Sequence, residues 1–324
     1  MFAGEIYAPE SVRLVDIELS DARVSAGSDE PKILFEPKLA CLCGSDLLFY
    51  ERTYPEFMPS IGQSLHEMIG TVIESESGRF AAGECVLAVP YEHFGFYERY
   101  WVAESRAIRV DARPVPGEAL MAQPLGTVLY ALKKLPSLID RDVAVMGQGP
   151  MGLLFTAALR NLGARTVIGV DPVAERRQLS LRMGANHALD SATEDIPSAI
   201  AELTDGKGAE FVIEAVGHRE QVLGQCVSSC CQDGTVLFFG VPTDRLDDVP
   251  MREMFMKNLR LLTSVHPDFR RDFPLAMQWI AEKRIDVSPM ITHSYPLSDI
   301  QPAFELFHHK RDGAAKVLID MESR

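Results

Sequence analysis

Over the first hundred-odd residues the apolar positions come in short runs. IGTVIES, ECVLAVP, RYWVAES and RAIRVDA are β-prone stretches cut by glycine, proline and charged residues. This spacing predicts strands and turns, in an all-β or α+β unit. At about residue 118 the period changes. EALMAQPLGTVLYALKKL carries apolar residues at helical spacing, and DVAVMG reads as a short buried strand. PMGLLFTAALRNLG reads as a helix with glycine just past its end, and TVIGVD as another strand. EFVIEAVG and GTVLFFGVP continue the alternation, which predicts a parallel sheet covered by helices on both faces. From about residue 268 the alternation stops. FPLAMQWIAEKR and DIQPAFELFHH then read as helices and AAKVLID as a closing strand. Two regimes and a tail that fits neither predict two domains.

Composition narrows the possibilities. The chain has 324 residues, 47% apolar and 24% charged, enough to bury a full core. Its 32 Lys and Arg stand against 46 Asp and Glu, a formal charge of -14. That balance argues against nucleic acid and anionic membrane as partners, since both reward dense Lys and Arg. The N-terminal stretch has neither a basic start nor an apolar core of the signal-peptide kind, and no apolar run has transmembrane length. Six cysteines without a regular framework fit free thiols in a reducing compartment, so the expectation is cytoplasmic.

Strand DVAVMG leads into Gly147-Gln-Gly149-Pro150-Met151-Gly152, which opens a helix. In that context each glycine has its own reason. Gly147 permits the tight turn, Gly149 lets a pyrophosphate approach the backbone, and Gly152 lets helix pack on strand. The helix N-terminus offers unpaired N–H groups to phosphate. Asp171, at the end of TVIGVD and 19 residues beyond Gly152, suits the ribose hydroxyls of NAD and repels the extra phosphate of NADP. Arg176 and Arg177 lie close enough in sequence to meet that phosphate, so NAD(H) is favoured without NADP(H) being shut out.

Cys43 is followed at once by Gly-Ser45-Asp46, and Leu65-His66-Glu67 comes 23 residues after Cys43. With Gly70, Gly83-Glu-Cys-Val86, Gln123-Pro-Leu125, the GQGPMG turn, Gly184-Ala185 and ITHSYPLSDIQPAFELF, the chain resembles the zinc-containing medium-chain alcohol/polyol dehydrogenases. The resemblance covers essentially the whole chain and is nearest to the sorbitol/threonine/glucose-dehydrogenase branch. It implies an α/β fold: a Rossmann-type doubly wound parallel sheet domain at 124–266 and a β-rich GroES-like catalytic domain. The latter would be made of 1–123 and the returning tail 267–324.

The resemblance also implies roles. Cys43 and His66 would bind one catalytic zinc, and Asp46 would brace His66 and fix its tautomer. Ser45 would take the substrate proton, and Glu67 would be either a supporting group or a ligand. Zinc would act as the Lewis acid on a secondary alcohol or ketone of a sugar, polyol or cyclitol, with hydride passing to or from NAD. The chain would work as a homo-oligomer, dimer or tetramer, on a small-molecule substrate.

Three departures qualify this. Gln123 stands where relatives carry a Cys or Glu ligand, so a weaker neutral donor would complete the site. The lobe with four cysteines that binds a structural zinc in many relatives is missing between Val86 and Val102, so no structural zinc is expected. Leu48 stands where some relatives end the proton relay with histidine; His93 is a substitute, though a lone loop histidine is ordinarily just solvated. Cys41 and the CxxxCC run at 226–231 read as packing. A metal-free reductase on the same fold and a catalytically silent NAD-binding protein stay open as alternatives.

Overall fold

The computed structural model describes residues 1–18, 30–51, 58–217, 220–243, 245–246 and 248–323. They gather into two compact units. The first comprises Met1–Gln123, Phe269–Ala281 and Ile291–Arg324, and the second Pro124–Asp268 and Glu282–Met290. The tail expected whole at 267–324 is therefore split. Glu282–Met290 joins the second unit, where Ile285, Val287 and Met290 are buried and Asn161 Nδ2 donates to the Arg284 carbonyl at 2.8 Å.

In the first unit, β1 (Phe2–Ala8) and β2 (Ser11–Asp16) form an antiparallel pair. β3 (Lys32–Cys41) is followed by helix α1 (Gly44–Tyr50). β4 (Glu67–Ser75), β5 (Cys85–Ala88), β6 (Tyr100–Ala103) and β7 (Ala107–Arg109) follow. β3 lies at the centre, paired antiparallel with β4 and β6. Phe35, Val72 and Tyr100 are wholly buried on these strands. Burying each such large side chain contributes about 1.5–3 kcal/mol.

The helical stretch beginning near residue 118 is not continuous. α2 (Pro116–Leu120) ends at Met121, and α3 (Ala122–Leu132) starts afresh. Pro124 explains the break. It has no N–H to give to the Leu120 carbonyl and its ring would clash there, but it is tolerated in the first turn of a new helix.

The second unit alternates strand and helix. β8 (Asp142–Met146), α4 (Pro150–Asn161), β9 (Thr166–Val170), α5 (Ala174–Arg182) and β10 (His187–Leu189) make its first half. α6 (Ile196–Leu203), β11 (Ala209–Glu214), α7 (Glu220–Ser229), β12 (Cys230–Phe238), α8 (Met251–Met256) and β13 (Arg260–Thr263) make the second. The strands are parallel in the order β10-β9-β8-β11-β12-β13. The order reverses at β8, the doubly wound arrangement of dinucleotide-binding sheets. Cys226 and Cys230 are buried among its apolar side chains, as packing requires.

The chain then returns to the first unit with α9 (Asp272–Ala281), β14 (Ile291–Pro296), α10 (Ile300–His308) and β15 (Lys316–Asp320). β15 pairs antiparallel with β3 and so extends the β-rich sheet. The α/β class and both architectures are as the sequence implies. Among the described residues, no helix is long and apolar enough to cross a membrane.

Candidate active site

Cys43 caps the N-terminus of α1, and Asp46 is the third residue of that helix. The Gly-Ser-Asp stretch is thus the first helical turn. Asp46 is fully buried. Its Oδ2 accepts the Cys43 N–H at 2.8 Å, and its Oδ1 accepts the Leu65 N–H at 2.7 Å and the Ser64 hydroxyl at 3.1 Å. Three hydrogen bonds satisfy a charge that burial would otherwise penalise heavily. They also corrects the expected role. His66 Nδ1 is buried without a hydrogen-bond partner, so Asp46 does not fix the imidazole tautomer. It ties the backbone of one proposed ligand to the backbone beside the other.

Leu65 has φ 61°, a left-handed conformation that costs a residue bearing a Cβ about 1–3 kcal/mol. The Asp46 bond to its N–H helps to hold it there, and His66 and Glu67 are placed by that turn at the start of β4. The thiol of Cys43, the imidazole of His66 and the carboxylate of Glu67 offer ligand atoms within 4.8 Å of one another. A soft thiolate, an imidazole and a carboxylate are a zinc donor set, and the unpartnered His66 nitrogen fits a group that a cation would engage. Gln123, the second residue of α3, is 8% exposed. Cys41 is buried, its Sγ against the Leu42 carbonyl, and burial pushes its thiol far above the usual range.

Two further groups complete the cluster. Lys316, on β15, is wholly buried and donates through Nζ to Glu67 Oε2 at 2.5 Å and to the Leu42 carbonyl at 3.4 Å. Burial pushes the Glu67 carboxyl up, and the Lys316 charge beside it pulls the other way and favours the carboxylate. Burial lowers Lys316, yet Cys41, Glu67 and Cys43 hold it above the ordinary ammonium range. The short contact is that of an ammonium with a carboxylate. In the sequence Lys316 stands out only as part of the closing strand AAKVLID. The available signal was a lone lysine in the apolar run AAKVLI.

His93 is not the solvated loop residue expected. Its Nε2 lies 3.2 Å from Ser45 Oγ, and its ring packs edge-on against His66 at 4.3 Å. Burial, then the neighbouring His66, lower it to about 4 against the opposing pull of Asp46. A neutral imidazole of this kind can accept the Ser45 proton.

In the second unit, Gly147 turns the chain out of β8 with φ 89°. A Cβ on Gly152 would come within 1.8 Å of the Gly147 carbonyl, so α4 can start only with glycine there. Gly149 caps α4, Pro150 opens it, and half-buried Met151 follows. A Cβ on Gly149 would meet only Arg176 Nη1, at 3.8 Å, which leaves the backbone open for a phosphate. Asp171 is 3% exposed. Its Oδ2 accepts the Gln148 N–H and its Oδ1 the Val173 N–H, both at 2.8 Å. Arg176 Nη1 lies 3.9 Å from the same Oδ2, whereas Arg177 pairs with Asp190 at 2.9 Å. The glycine turn, the open helix end and the acidic strand terminus fit a dinucleotide.

Comparison with known proteins agrees with this geometry. Residues 150–282 match the family model for zinc-binding dehydrogenases. An alcohol dehydrogenase of Cupriavidus necator is 32% identical over 184 residues, 56% of this chain and 50% of that protein. The matched segment thus spans half the length of that relative. L-Threonine 3-dehydrogenase of Bacillus subtilis is 24% identical over 88% of this chain and 90% of its own. The crystal structure of L-idonate 5-dehydrogenase from Escherichia coli shares the fold, with a TM-score of 0.81, 22% identity and 99% of each chain covered.

Proposed function

We propose that this chain is a zinc-type medium-chain dehydrogenase, which transfers hydride between NAD(H) and a secondary alcohol or ketone of a polyhydroxylated small molecule; the match to the zinc-binding dehydrogenase model and the likeness to threonine 3-dehydrogenase support the reading. A sugar, polyol or cyclitol is the substrate class. The observation that carries the reading is the convergence of Cys43, His66 and Glu67 beside a Ser45–His93 hydrogen bond. Cys43 and His66 would hold a single zinc ion, completed by Glu67 or Gln123. When bound, that ion supplies a Lewis acid for the substrate oxygen.

The protein's own groups do the rest. Ser45 Oγ takes the substrate proton in the oxidative direction and hands its own to His93 Nε2, which burial keeps neutral and able to accept. Asp46 keeps the Cys43 and Leu65 backbones in register, so the two ligands hold their spacing. Lys316 neutralises Glu67 in a region closed to water. The GQGPMG turn receives the pyrophosphate, and Asp171 sets the preference for NAD(H), with Arg176 beside it as the group a 2′-phosphate would meet.

The same proposal includes a cytoplasmic homo-oligomer, dimer or tetramer, without a structural zinc. Free cysteines support the compartment. The terminal position of β13 in its sheet, with Leu261 41% exposed, supports self-association.

Elemental analysis of the purified protein, paired with an NADH-formation assay over polyols and sugar alcohols, tests the reading. About one zinc bound through Cys43 and turnover of a polyol are expected. NAD binding without zinc or turnover would favour a metal-free or silent nucleotide-binding protein and overturn it.

A further inference from the structure

A second cluster of ligand groups lies at the C-terminal end of α10, apart from the site above. Ring nitrogens of His308 and His309 and a carboxylate oxygen of Glu10 lie within 4.8 Å of one another. Glu10 stands in the turn between β1 and β2 with φ 56°. Its N–H donates to the Tyr50 carbonyl at 2.7 Å, and its own carbonyl accepts Gln301 Nε2 at 3.0 Å. The turn is therefore held to the end of α1 and, through Gln301, to the first turn of α10, while Tyr50 packs against His308 at the other end of that helix.

Glu51 gives the cluster its direction. His308 Nε2 lies 3.0 Å from Glu51 Oε1. A carboxylate accepts, so Nε2 carries the proton, and in the neutral ring the lone pair falls on Nδ1. That nitrogen is buried and has no hydrogen-bond partner. An imidazole with one nitrogen held by a carboxylate and the other offering a lone pair is arranged as metal-bound histidines are.

The local field favours a cation. The C-terminal end of α10 carries the negative end of the helix dipole. Tyr50 packs edge-on against His308, and the Glu51 carboxylate lies beside the same ring. Two imidazoles and a carboxylate suit zinc or nickel better than calcium or magnesium, which prefer oxygen throughout.

We propose that Glu10, His308 and His309 form a second divalent transition-metal site, with Glu51 as the positioning residue for His308. The bound ion ties the β1–β2 turn to the end of α10. α1, whose far end carries Ser45 and Asp46, reaches the same place through Tyr50 and Glu51. No thiolate takes part, so the site is chemically distinct from the Cys43 cluster and does not depend on it.

The test uses the full-length, untagged protein dialysed to equilibrium against zinc and, separately, nickel, with metal content measured per chain. His309→Ala is expected to hold one ion fewer than the unaltered protein, with the same difference in a Cys43→Ala background. Dehydrogenase activity should not change. Glu51→Gln should weaken this ion's binding roughly 10–100-fold in a calorimetric nickel titration. His309 and Glu10 are exposed, so Glu10→Gln serves as an independent check should His309→Ala disturb the helix end in circular dichroism. Equal metal content in the unaltered protein, His309→Ala and Glu10→Gln would overturn the site.

Discussion

Lys316 Nζ sits 2.5 Å from Glu67 Oε2, and the two side chains are 0% and 1% exposed. Two charges removed from water this completely depend on each other. Deleting one strands the other in a medium that cannot solvate it. Lys316→Met should therefore destabilise the first unit by about 3–5 kcal/mol, read as a lower denaturant midpoint. The double variant Lys316→Met/Glu67→Gln should recover most of the loss. A double variant no more stable than the single one would mean that lysine packing, not charge pairing, holds this region.

Cys43→Ala should lose one zinc per chain and dehydrogenase activity while NAD binding survives, because the glycine turn proposed for the nucleotide belongs to the other unit. Metal content and cofactor fluorescence titration check both halves. Full activity in Cys43→Ala with its best substrate would exclude the metal mechanism.

Ser45→Ala should retain metal and lose rate, by ~10²–10⁴-fold if its hydroxyl is the first proton acceptor. His93→Asn should lower kcat with less effect on KM, since His93 is placed to act through Ser45. Unchanged kcat in His93→Asn would remove it from the relay.

Gln123→Glu adds a negative charge at the position where the family resemblance implies a Cys or Glu ligand. If Gln123 faces the ion, the dication is held more tightly and its loss to a chelator slows, as timed metal analysis would show. An unchanged rate of loss would place Gln123 away from the metal and leave Glu67 to complete the site.

Cofactor choice should depend on Asp171 and Arg176 in opposite directions. Asp171→Asn removes the charge that a 2′-phosphate would face and should raise NADP affinity relative to NAD by roughly 5–10-fold. Arg176→Ala should lower that ratio. Titration of both cofactors decides it, and equal affinities in the unaltered protein would remove the selective role given to Asp171.

Local spacing was enough to reveal much of this molecule. The alternation of strands and helices after residue 118 marked the parallel sheet, because side-chain periodicity is set by each element's own geometry. The glycines at 147, 149 and 152 marked the tight turn from β8 into α4, since φ 89° and a 1.8 Å clash are constraints within a few residues. Cys43 and His66 were legible as a family pattern. Long-range partners were not. Lys316 reaches Glu67 across 249 positions because β15 and β4 both pair with β3, and strand pairing has no local signature. His93 meets Ser45 across 48 positions, and burial there turns a loop histidine into a neutral acceptor. Asp46 was read as a brace for His66, yet its oxygens go to the Cys43 and Leu65 backbones. Sequence named the chemistry available to this chain; tertiary packing chose each group's partner, because only packing decides which charges and lone pairs lose water together.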